Sequence, residues 1–184
     1  MKNLNFKTAF SYPFNRAKGM LNILWVLLPI IGWFALSGYG IRIIKEYTKG
    51  RFKKLPKFQF KSDLKLGFWM FLKAIPFVVA YIIIIEGLGY FHEGLSGFVD
   101  FFLEIFLVPI LTINFFVKET VGSYFEFKAL KPVFNNLKDY IVAILKTILI
   151  TLIFIVMSIV LIGIPALVFT QNIFLADFYR RRVK

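Results

Sequence analysis

Residues 160–172 read VLIGIPALVFTQN, inside an apolar run that extends from Tyr140 to Tyr179. One straight helix over that run would be about 60 Å long, roughly twice the hydrocarbon core of a bilayer. Even the uncharged stretch from Thr147 to Ala176 would reach about 45 Å. A single span is therefore excluded. Pro165 lacks an amide proton and clashes with the preceding turn, and Gly163 tolerates the sharp backbone angles of a reversal. The run reads as a terminal hairpin with arms 140–161 and 165–179, which leaves Asp139 and the closing RRRVK on the same side.

The composition agrees with membrane burial. The chain has 184 residues and is 59% hydrophobic, with 24 Phe, no Cys and a single His. That is more apolar surface than a soluble domain of this size can hide. Without cysteine there is no disulfide framework, thiolate nucleophile or thiolate metal site. The net charge of +13 reads as basic loops flanking apolar spans rather than as a nucleic-acid footprint, since no nucleic-acid-binding motif accompanies it. Residues 1–18 are basic, 20–34 are apolar, and Ala35-Leu36-Ser37 resembles a cleavage site, but the segment is expected to be retained.

Charge partitions along the chain. Residues 42–65 carry nine Lys or Arg against Glu46 and Asp63, whereas 86–104 carry four acids and no Lys or Arg. The positive-inside rule puts the basic segments in the cytoplasm and the acidic stretch outside. Residues 66–86 then run outward, 87–97 form an external loop, and 98–117 run back. Residues 45–65 and 118–139 become cytoplasmic loops, and 1–18 an interfacial amphipathic segment with Phe6, Phe10 and Phe14 four apart. Residues 19–44 contain LLPIIG, and a shallow hairpin turning at Pro29–Gly32 keeps both basic flanks inside; a single tilted crossing is the rival. The expected fold is an all-α polytopic transmembrane bundle of six membrane-embedded segments, five if 20–44 cross once, with both termini cytoplasmic.

So organised, the sequence resembles the prokaryotic membrane proteins grouped as domain of unknown function 4013. The resemblance rests on FSYPF (10–14), LLPIIGWFALSGYGIRIIK (27–45), LPKFQFKSDLKLG (55–67) and VKETVGSYFEFKALKPVFNNLKDYIVAIL (117–145). Members are usually more acidic around the LP motif, where this chain has Lys57, Lys61 and Lys65. The resemblance implies a compact polytopic fold in the cell membrane of a bacterium or archaeon, and no activity.

Two groups of residues carry the remaining chemistry. Glu86, His92, Glu93, Asp100 and Glu104 are the candidates for an ion or proton site, with Asp100 and Glu104 one helical turn apart on one face. The plainer reading makes them markers of the outer boundary. Arg51, Lys53, Lys54, Lys57 and Lys61 are the candidates for contact with anionic lipid or an acidic partner; the plainer reading is topology marking. Lys73 and Lys146 are expected to snorkel to the cytoplasmic surface, and Asp177 to pair with Arg181 four residues on. Asn22, Asn114, Gln171 and Asn172 are uncharged polar groups at membrane depth, the last two expected to line a packed interior. No nucleophile–base pair, phosphate loop or zinc motif is present, and no two glycines stand four apart. The expected function is a non-catalytic accessory or scaffolding subunit that packs with membrane lipids or other membrane proteins, without a cofactor or nucleic acid. A small transporter or channel using the outer carboxylates is the alternative.

Overall fold

The computed structural model describes residues 3–184. Among them the chain is mostly helical, without strands. In order the helices are α1 (Phe6–Ser11), α2 (Ala17–Met20), α3 (Ile31–Tyr47), α4 (Phe60–Phe91), α5 (Glu93–Phe106), α6 (Val108–Lys118), α7 (Val121–Tyr124), α8 (Lys131–Asn135), α9 (Leu137–Met157), α10 (Gly163–Thr170) and α11 (Ile173–Arg182). Two helical stretches, Phe60–Phe91 and Leu137–Val160, are long and apolar enough to cross a membrane; α5 and α6 together make a third if their 45° bend lies within one span. By length and composition, two or three of the expected membrane-embedded segments are thus long enough to cross alone.

The terminal reversal falls where the proline and glycine put it. Leu161 takes a left-handed conformation at φ 61, and α10 returns along α9 from Gly163. A Cβ on Gly163 would lie 2.1 Å from the Phe154 carbonyl, so only glycine lets the two arms approach this closely. The return arm, however, is not one helix. Asn172 breaks it at φ 65, leaving α10 with eight residues, about 12 Å. Gln171 is exposed rather than part of a packed interior. Beyond the break, α11 is buried from Ile173 to Tyr179 against α9, α3 and α6.

The first apolar run also reverses. A 3-10 helix over Leu21–Leu27 leads to Pro29, Ile30 takes φ 63, and α3 runs back with Gly32 against the Trp25 carbonyl. The Trp33 indole closes the turn by donating to the Val26 carbonyl at 2.9 Å. Residues 98–117, read as a straight span, are bent at Leu107, where Pro109 occupies the first turn of α6 and cannot supply an amide to the preceding helix. Residues 118–139 fold into short helical turns rather than an open loop.

Backbone contact between helices comes from glycines far apart in sequence. A Cβ on Gly38 would lie 1.9 Å from the Asp63 carbonyl, and one on Gly67 1.9 Å from the Phe34 carbonyl. The backbones of α3 and α4 approach closely at these two residues. Around α3, α6 and α11 sits the core, with Tyr39, Tyr47, Ile110, Ile113, Tyr140 and Phe178 fully or almost fully enclosed. The amphipathic face of 1–18 is spent on this core: Phe6 stacks on Phe174 at 5.8 Å and Phe10 on Phe154 at 5.5 Å. By contrast α4 and α9 present Ile82, Ile83, Leu145 and Leu152 outward, all more than half exposed.

Candidate functional site

The basic segment between α3 and α4 is irregular, yet it is fixed at four of its carbonyls. Leu55 is fully buried and acts as its anchor. Asn15 donates to the Lys53 carbonyl at 2.7 Å, Arg16 to that of Leu55 at 3.2 Å, Tyr39 to that of Pro56 at 3.0 Å, and Arg42 to that of Lys57 at 2.6 Å. With its carbonyls turned inward, the segment leaves Lys53, Lys54 and Lys57 exposed, with no carboxylate in salt-bridge reach among the described residues. These lysines, with Asn15, Arg16 and Arg51, line an open cleft of about 700 Å³. Glu46 is the acid in its wall, already engaged by Lys49 and by Arg51 at 3.0 Å.

Outside the cleft, an ion pair with a buried carboxylate braces the start of α4 against α3. Arg42 grips Asp63 through two hydrogen bonds of 2.9 and 2.7 Å, and the Gln59 amide adds a third at 2.7 Å. The Asp63 side chain is only 1% exposed, so its charge depends on these three donors. Lys45 pairs with Glu119, and Lys73 donates to the Glu119 carbonyl at 2.7 Å, which ties α3 and α4 to the end of α6. Lys73 thus reaches the basic face as its long stem allows. Lys146 lies over the Phe174 ring at 5.8 Å.

The same face carries a second polar hub. Asp177 accepts from Arg180 at 2.6 Å, from Arg181 at 3.0 Å, and from the Leu4 amide at 3.1 Å. Arg182 hydrogen-bonds Asp139 and holds its carboxyl below the usual range, with Arg181 adding to the effect. Lys118, and then Asn114, do the same for Glu126. Asn114, in the middle of α6, accepts from the Tyr179 hydroxyl at 2.7 Å and donates to the Ser123 carbonyl at 2.6 Å. It is the interhelical bond expected of such a residue.

The outer carboxylates are arranged quite differently. Glu86, His92, Glu93 and Glu104 are all exposed, and no three His, Asp or Glu among the described residues could hold a metal together. Asp100 accepts from the Tyr81 hydroxyl on α4. His92 caps α5, its Nδ1 accepting from the Leu95 amide at 3.1 Å. Glu104 stands beside a hollow of about 180 Å³ lined by Phe77, Tyr81, Val108 and Tyr124. Of the five sequence candidates, only Asp100 and Glu104 share a neighbour, Tyr81.

This order of segments, from the Pro29 reversal through the basic LP stretch to the return at Pro165, coincides with a family model described as a protein of unknown function (DUF4013), matched over residues 21–165. The chain belongs to the DUF4013 family. No curated protein and no solved structure matches it. The DUF4013 match contains α3 to α9 and most of the cleft, while FSYPF (10–14) and the cleft residues Asn15 and Arg16 precede it. Sequence reasoning missed Asn15 and Arg16, which stand 38 and 39 residues from the carbonyls they hold. It also placed Lys61 in the basic contact set, whereas Lys61 lies on the first turn of α4, exposed and outside the cleft wall.

Proposed function

We propose that this DUF4013 protein is a non-catalytic multi-pass component of a prokaryotic cell membrane, an accessory or scaffolding subunit that gathers lipids or other membrane subunits. Both termini and the basic cleft face the cytoplasm in this reading, and the Leu21–Tyr47 hairpin enters the bilayer from that side and turns back. The observation that carries it is the contrast between the packed, cation-rich face at Arg42–Lys57 and Arg180–Arg182 and the apolar outer surfaces of α4 and α9. A preformed, charged platform on an apolar frame suits binding at the membrane surface.

A second reading, a small transporter or channel, has one specific observation in its favour. Glu104 stands one turn before a 45° break in the α5–α6 pair, and intramembrane carboxylates beside broken helices commonly mark ion paths. Glu104→Gln separates the two, because it removes charge with little change in size. The purified protein in liposomes is expected to show no proton or cation flux, and the variant should keep any stoichiometric co-purifying partner. Robust flux lost on Glu104→Gln would overturn the accessory reading.

A further inference from the structure

We propose that the basic cleft is the headgroup half of a site for one anionic phospholipid, whose acyl chains run along Leu21–Leu28. This inference rests on the accessory reading and narrows its ligand. The cleft supplies charge complementarity: five cations against one acid that is already paired. It is also preorganised, since four side chains from two other parts of the chain fix the loop backbone. A phosphate entering it meets lysines that have no partner to give up.

The apolar half lies directly beside it. The 3-10 helix that follows Arg16 by a few residues turns Leu21, Leu24 and Leu27 outward, 63%, 57% and 76% exposed, around an open hollow of about 520 Å³. Gly19 keeps its start against the anchor, because a Cβ there would sit 3.2 Å from the Leu55 side chain. On the other flank Trp25 stacks on Phe58 at 5.6 Å and on Phe60 at 4.6 Å, next to Lys57. Charge and concave apolar surface are therefore joined through the same two elements. A soluble phosphate compound would fill the cleft and leave the hollow uncovered; a diacyl phospholipid fills both.

The test uses the full chain in mild detergent, titrated with dioleoylphosphatidylglycerol or dioleoylphosphatidylcholine and read by native mass spectrometry. The anionic lipid should be retained at least about tenfold better. Lys53→Gln, Lys54→Gln and Lys57→Gln together should weaken it roughly 100-fold, about fivefold per charge. Leu24→Ser with Leu27→Ser should weaken the long-chain lipid and leave competition by glycerol phosphate unchanged. Should the lysine variant not fold, added salt gives the same information on the natural chain, because exposed cations are screened. Equal retention of the two lipids, or retention indifferent to the lysines and to salt, overturns the site. So does competition by glycerol phosphate at the lipid's own concentration, which would assign the cleft to a soluble phosphate. None of these results bears on the accessory reading, which stands or falls on the flux measurement.

Discussion

The basic and the acidic ends of this molecule are both charge clusters in sequence, but only one of them is a structured site. At the basic end, carbonyls of the irregular segment are held by Asn15, Arg16, Tyr39 and Arg42, and one buried leucine pins it. At the acidic end, Tyr81–Asp100 and the His92 cap are local ties, and Glu86, Glu93 and Glu104 point into open surroundings. The difference shows that clustered charge becomes a binding surface when the backbone beneath it is fixed. Otherwise each side chain pays its own ordering entropy on binding.

The strongest way to break that comparison is to make one substitution at both ends. Gly67→Ala drives a Cβ into the Phe34 carbonyl, which is backbone and cannot swing aside. The cost should exceed the about 1–3 kcal/mol of ordinary overpacking, seen as loss of a monodisperse peak in detergent. Gly97→Ala, in α5 with nothing within 4 Å, should be neutral or stabilising by up to about 1 kcal/mol. Equal behaviour of the two variants would remove the distinction.

A smaller contrast lies in the charges. Arg42→Ala leaves Asp63 buried without its guanidinium partner and should lower unfolding stability by about 3–5 kcal/mol. Glu86→Ala, exposed at the outer end, should change it by less than about 0.5 kcal/mol. Chemical denaturation in detergent checks both. The smallest effect concerns acid. The Asp139 carboxyl titrates below its ordinary range when folded, so its contribution is present above the unfolded value and is lost as pH falls through the lowered one. Asp139→Asn should lower stability slightly near neutral pH and flatten the acid side of the profile, so that the two proteins converge at low pH.

The reversals were legible because proline and glycine act locally: Gly163–Pro165 and Pro29–Gly32 turn the chain where their backbone chemistry dictates. Asp177–Arg181 was legible for the same reason, being one helical turn apart. The break at Asn172 was not, since asparagine adopts a left-handed conformation only where surrounding packing demands it, here to bury α11. The α5–α6 bend was written as Pro109 but hidden inside a run of the right length for one span. The cleft was half legible. Its lysines stand together in sequence, whereas Asn15 and Arg16 reach it only through tertiary folding, and spacing rules do not extend over such separations.

The bond from the Leu4 amide to Asp177 joins residues 173 positions apart, and it sets an order of events during synthesis. At about 5–20 residues per second, the first segment emerges roughly ten to thirty seconds before the carboxylate that will receive it exists. Through that interval Phe6 and Phe10 have neither Phe174 nor the finished arm to pack on. Until then the nascent chain carries an unpacked aromatic strip at Phe6 and Phe10. The docking works as a clasp: a helix made late fastens a segment made early.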